Sequence, residues 1–191
     1  MRKAVKASIV VLLLGAFIAA GAWSASAQQV HEVFMLIEEV EGRPVPEFFF
    51  EPVGLFINPG DTVRFVAPTP HHTVTAYHEL QGKVQRVPEG AEPFSSPMIP
   101  IGGFWEYTFT VPGVYDVFCG PHESYGMVMR LVVGEATGPG ASPVEDFSPF
   151  GAMGTAGTVL NDPALDPLRI LEVGSVAWSE ISEASKAVAE Q

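Results

Sequence analysis

The sequence predicts an all-β fold, a Greek-key β-sandwich, with a C-terminal extension that contains a short helix. Three observations predict it. Roughly eight short apolar or alternating runs fall in about a hundred residues after Gln29, separated by Pro and Gly. Period-two alternation is clearest at residues 62–66, 73–77 and 104–111. From Gly134 onward the strand-like runs stop, and residues 137–149 are rich in Gly, Pro and Ser.

In chain order, residues 30–40 are apolar enough for a first strand, and residues 47–51 carry Phe48-Phe49-Phe50. Residues 55–57 lead into Asn58-Pro59-Gly60-Asp61, a turn of residues that each favour turns for a separate reason. The alternating runs at 62–66 and 73–77 follow. Residues 78–103 form a long connection containing Pro88, Pro93, Pro97 and Pro100, and connections of that length are often functional. It is expected to cover one side of the loop after residue 118, with Phe94, Met98 and Ile99 supplying apolar contact. The run at 104–111 closes on Pro112-Gly113, residues 114–118 enter a short loop, and residues 127–133 leave it. Beyond, Asp162-Pro163 and Asp166-Pro167 are helix starts, with Asp as cap and Pro in the first helical position. Residues 179–189 form an expected short acidic helix. No repeats and no second core of useful size are visible, so the tail reads as an appendage packed on the sandwich. The expected organisation is a signal peptide at 1–27, a binding domain at 28–136, and a linker with extension at 137–191.

The signal peptide rests on order. Basic Met1-Arg2-Lys3-Ala4-Val5-Lys6 precedes a long apolar run and then Ala25-Ser26-Ala27. Cleavage after Ala27 leaves 164 residues; the alternative is an uncleaved membrane anchor. The twin arginines of the folded-protein route are missing, as is a cysteine for a lipid anchor. Without Arg2, Lys3 and Lys6 the ten basic residues become seven against 22 acidic ones, a formal charge of −15. Such a chain is a poor phosphate-backbone binder, and its charge reads as general surface acidity first, with steering toward basic partners as the alternative.

The one cysteine lies in Cys119-Gly120-Pro121-His122-Glu123-Ser124-Tyr125-Gly126-Met127. An exported chain with a single cysteine makes no internal disulfide, so the thiol must be buried or ligated. Thiolate, imidazole and thioether in one loop are three of the four donors of a His₂Cys site with a weak axial Met, the donor set of blue copper. Soft sulfur suits Cu(I) and imidazole suits both oxidation states, so one geometry serves both. The expected ligands are Cys119, His122 and Met127. Met129, on the same strand face, reads as packing beneath the site. The second imidazole comes from His71 or His72; adjacent strand residues face opposite ways, so only one can point at the metal. His78 is a weaker candidate, and His31 reads as a solvated surface histidine.

Pro59-Gly60-Asp61-Thr62-Val63-Arg64-Phe65, His72-Thr73-Val74, and Tyr115-Asp116-Val117-Phe118-Cys119-Gly120-Pro121-His122 with Met127 resemble the cupredoxins, in particular the plastocyanin, pseudoazurin and amicyanin group. The resemblance spans about residues 30–134. It implies His72, rather than His71, as the upstream ligand. Thr73 stands where that group has an Asn whose side chain ties the two ligand loops together, and its side chain is shorter. The resemblance also implies one-electron transfer between redox partner proteins, without chemistry on a small-molecule substrate. Docking is expected near His122, on an apolar patch drawn from Pro121, Tyr125, Phe94 and Met98.

Three other readings fit the residues less well. A copper chaperone or store would use Met- and His-rich tracts, which are missing here. A zinc-binding structural module accepts S and N donors but leaves the axial Met without a purpose. Enzymes with a second kind of copper need further paired histidines, and the five histidines here show no His-x-His pair. The expectation is an exported carrier with one copper ion, not an enzyme, touching a membrane only through an uncleaved N-terminal segment.

Overall fold

The computed structural model describes residues 28–187. The expected signal peptide and the last residues of the expected terminal helix lie outside that range. In chain order the elements are β1 Val30–Glu38, β2 Glu47–Glu51, β3 Gly54–Ile57, β4 Thr62–Val66, β5 Thr75–Ala76, β6 Phe104–Thr108, β7 Gly113–Phe118, β8 Val128–Val133, α1 Thr155–Leu160, α2 Pro167–Val173, β9 Ser175–Val176 and α3 Glu183–Lys186. One sheet runs β2-β1-β4-β6 and the other β5-β7-β8-β3-β9. Both are mixed, because β1 runs parallel to β4 and β3 parallel to β8. The fold is the all-β sandwich the sequence predicts, with short helices in the extension. Among the described residues, no helix is long and apolar enough to cross a membrane.

Alternation builds the main core. Val33, Met35, Phe50, Phe65, Val117 and Leu131 meet between the sheets. On β7 and β8 the alternate positions are buried as well. Their outward residues Val114, Phe118, Val128 and Val132 join Val159, Leu160, Ile170 and Trp178 of the extension in a second apolar cluster. The expectation of no second core is therefore corrected: the extension buries the back of the second sheet and makes a core there.

A buried charge cluster fastens this layer. Asp116 on β7 accepts from Arg86 Nε at 2.8 Å, and from Arg130 Nε and Nη2 at 2.8 and 2.9 Å. The spare guanidinium donors reach extension carbonyls, Arg86 to Ser142 at 2.7 Å and Arg130 to Leu165 at 2.8 Å. Every polar atom of the cluster thus finds a partner inside the protein, as burial of charge requires. At the far end Trp178 stacks on Phe49 of β2, centroids 5.1 Å apart.

Several boundaries differ from expectation. The run at 73–77 is a strand only at Thr75 and Ala76, which pair with β7, and Tyr77 N also donates to Asp116 O there at 3.1 Å. The long connection bonds to the segment ahead of them, Ile99 N donating to His72 O and Ser96 N to Val74 O, both at 2.9 Å. Asp162 caps a 3₁₀ turn, Pro163–Leu165, and Asp166 caps α2, both as expected. The expected acidic helix is a 3₁₀ turn, Trp178–Glu180, followed by α3. Helix α1 and strand β9 were not anticipated.

Candidate metal centre

Cys119 lies just past the end of β7. It continues the inward alternation of Tyr115 and Val117 and is completely buried in the main core. The chain then winds through a 3₁₀ helix, Gly120–Tyr125, which ends at Gly126 with φ 93°. A left-handed residue there suits glycine. The neck of the loop is closed by Cys119 N donating to Met127 O at 3.0 Å and Met127 N to His122 O at 3.2 Å.

The structure brings His72, Cys119 and His122 together, with one ligand-type atom from each within 4.8 Å of the others. The Nδ1 atoms of His72 and His122 lie 3.8 and 3.6 Å from Cys119 Sγ. His72 is buried, whereas His71 is exposed with φ 64°. The left-handed backbone at His71 turns its side chain outward, while His72 enters the core. Met127 is wholly buried in the cluster that contains Cys119, and Met129 is buried in it too.

The other two histidines stand apart. His78 caps a 3₁₀ turn through Nδ1, 3.1 Å from Leu80 N. His31 is not simply solvated: its Nε2 lies 3.0 Å from the buried Asp61 carboxylate. Asp61 also accepts from the Gln29 and Asn58 amides at 2.9 and 3.0 Å. Burial alone would raise its pKa, but these bonds and His31 hold it below the usual carboxylate value.

Neighbours set the state of each donor. Thr69 Oγ1 donates to Met35 O at 2.9 Å, so its oxygen accepts from His72 Nε2 at 2.8 Å. That places the His72 proton on Nε2 and leaves Nδ1 with a lone pair facing the sulfur. Burial, then the charges of His122 and His71, bring the His72 pKa down to about 4. Burial also lowers that of His122. Both rings are neutral at pH 7. Burial pushes the Cys119 thiol up to about 11, against the pull of the Thr73 and His122 backbone groups.

Thr73 makes the tie between the loops in spite of its length. Its Oγ1 accepts from Gly120 N at 2.8 Å, and its own amide donates to Cys119 Sγ at 3.4 Å. Phe48 of β2 stacks on His122, centroids 4.3 Å apart, and lies 5.0 Å from Tyr125. Pro121, Tyr125 and Met98 are exposed, but Phe94 is buried against Tyr107 and leaves the expected patch. Sequence reasoning missed Thr69 and Phe48. The Phe48-Phe49-Phe50 run was a signal only for strand.

Two imidazole nitrogens and one sulfur converging at the rim of an apolar core, with a thioether buried in the same core, form a set that fits a single copper. A profile of copper-binding proteins of the plastocyanin/azurin family matches residues 40–134. A pseudoazurin from Paracoccus pantotrophus is 39% identical over 106 residues, 56% of this chain and 64% of that protein. The chain thus spans somewhat less than two thirds of that relative. A putative pseudoazurin from Rhizobium leguminosarum bv. viciae is 34% identical over 128 residues, 65% of this chain and 76% of its own length. Among solved structures, a pseudoazurin from Sinorhizobium meliloti is 34% identical, covers 58% of this chain and 77% of its own, and superposes with a TM-score of 0.47.

Proposed function

The chain belongs to the plastocyanin/azurin family of copper-binding proteins and copper is its cofactor; from that premise we propose that it is an exported carrier of single electrons between redox partner proteins. We assign His72, Cys119 and His122 as the residues that would hold the copper most strongly, with Met127 as a weaker fourth ligand. Bound copper supplies a one-electron Cu(II)/Cu(I) couple. The residues around it do the rest. Thr69 and Thr73 hold His72 and the Cys119 loop in place. The apolar core beneath keeps water from the sulfur. His122, half-buried beside exposed Pro121 and Tyr125, is the exit for the electron. Partners dock over that edge, and the acidic mature chain favours basic ones. Export follows from the leader pattern at residues 1–27.

The observation that carries this reading is the convergence of His72, Cys119 and His122. The test is a redox titration of the copper-loaded chain. Reversible bleaching of an intense visible band, with one electron taken up per copper, is expected. Rapid loss of copper to an acceptor protein, with no reversible couple, would mark a copper store or chaperone instead.

A further inference from the structure

Glu123 follows His122 in the loop and is 3% exposed. Its carboxylate turns away from the loop. Tyr77 Oη donates to Oε1 at 2.9 Å, and the Met153 amide does so at 3.3 Å. Lys83 Nζ sits 2.8 Å from Oε1 and 2.6 Å from Oε2. The same ammonium donates to the carbonyls of Pro149 at 2.8 Å and Gly151 at 3.3 Å. All three partners of the carboxylate lie outside the loop; Met153 belongs to the C-terminal extension, and Lys83 in turn holds two extension carbonyls, those of Pro149 and Gly151. A buried pair of this kind adds little over an apolar substitute when intact, yet losing one partner is strongly destabilising. Its presence here fixes position.

A second contact lies three residues on. A Cβ at Gly126 would sit 2.8 Å from Thr155 Cγ2 on α1. The first turn of α1 packs on the bare backbone that joins Tyr125 to Met127. The loop is thus gripped at Glu123 and at Gly126, one residue after His122 and one before Met127.

We propose that the C-terminal extension is a working part of the metal centre, in which Glu123 is a positioning residue that, with Lys83, clamps the ligand loop to residues 149–157. This rests on the assignment of Cys119, His122 and Met127 as ligands. Coupling of this kind is reciprocal. Loading the loop with copper must steady residues 149–157, and loosening those residues must disturb the loop.

The test uses the full mature chain, copper-free and copper-loaded. Amide hydrogen exchange is followed at residues 120–127 and 149–157, together with the visible and paramagnetic resonance spectra of Cu(II). The variants are Glu123→Gln, the milder Tyr77→Phe, and Arg169→Gln, which breaks an exposed pair with Glu180 elsewhere on the extension. In the wild type, copper is expected to slow exchange in both segments. Glu123→Gln is expected to speed exchange in both by about tenfold or more and to change the Cu(II) spectrum. Tyr77→Phe does the same to a smaller degree, and Arg169→Gln does neither. The proposal is overturned if Glu123→Gln frees residues 149–157 while the loop and the spectrum stay as in the wild type. It is equally overturned if copper leaves exchange at 149–157 unchanged. Should Glu123→Gln not fold, Tyr77→Phe decides on the same two readouts. A wild type that binds no copper sinks the ligand assignment instead; exchange in the copper-free variants then still decides whether loop and extension move together.

Discussion

His72 and His122 meet edge to face beside the Cys119 sulfur, their ring centroids 5.2 Å apart and their planes inclined at 69°. They arrive from different parts of the fold, His72 from the segment between β4 and β5 and His122 from the loop between β7 and β8. Each ring is held by a residue outside the cluster, Thr69 for the first and Phe48 for the second. The hydrogen bond from His72 to Thr69 and the stacking of His122 on Phe48 fix both ring orientations from outside the cluster.

Phe48→Ala should loosen His122. A stacked, half-buried aromatic is removed, with a stability loss on the order of 2 kcal/mol. Burial holds the His122 pKa down, so in copper-free protein that pKa should rise toward the ordinary histidine value. An NMR titration of the His122 ring checks it; an unmoved titration means Phe48 does not shield the ring.

Thr73→Val removes the oxygen that accepts from Gly120 N and should lower stability by about 1 kcal/mol. Thr73→Asn keeps an acceptor at that place and should hold or restore the bond. Thermal unfolding of both variants separates the hydrogen bond from side-chain volume, since Val matches Thr in size.

Asp116→Ala leaves Arg86 and Arg130 buried without their carboxylate. A loss of about 3–5 kcal/mol is expected. The loss should spread to the extension, because both guanidiniums also hold extension carbonyls. Urea unfolding gives the magnitude, and proteolysis of the 137–187 segment reports its release.

Copper loading near pH 7 should release about one proton per ion. Cys119 enters as a thiol, held protonated by a pKa pushed up to about 11, while both imidazoles are already neutral. As pH falls toward about 4, His72 takes up a proton and that proton competes with the metal. Copper affinity should therefore fall with acidification through that range and level off above it with respect to His72. Calorimetry in buffers of different ionisation enthalpy counts the protons.

Much of this was readable from residue order. The spacing of Cys119, His122 and Met127 marked the loop, and alternation marked the strands around it. The choice of His72 over His71 came from family resemblance, since residue order alone left both open; the left-handed backbone at His71 that turns it outward has no signature in a histidine pair. The tie through Thr73 was legible as a position but not as a bond, because the approach of Gly120 to within reach of a short hydroxyl is a matter of packing. The second core had a signal that went unused. Val114, Phe118, Val128 and Val132 put apolar residues on the outward face of β7 and β8 as well, a mark of strands covered on both faces that Asp116 and Arg130 interrupt. Helix α1 was illegible because Thr155-Ala156-Gly157-Thr158 has little helical propensity; its place is set by packing against the metal loop and the second sheet.

The most direct measurement is the visible and paramagnetic resonance spectrum of the copper-loaded chain beside that of Cys119→Ser. An intense thiolate-to-copper band with narrow copper hyperfine splitting, both lost in the serine variant, is the predicted result. A wild-type spectrum that lacks the band, or a serine variant that keeps it, would contradict the site built on His72, Cys119 and His122.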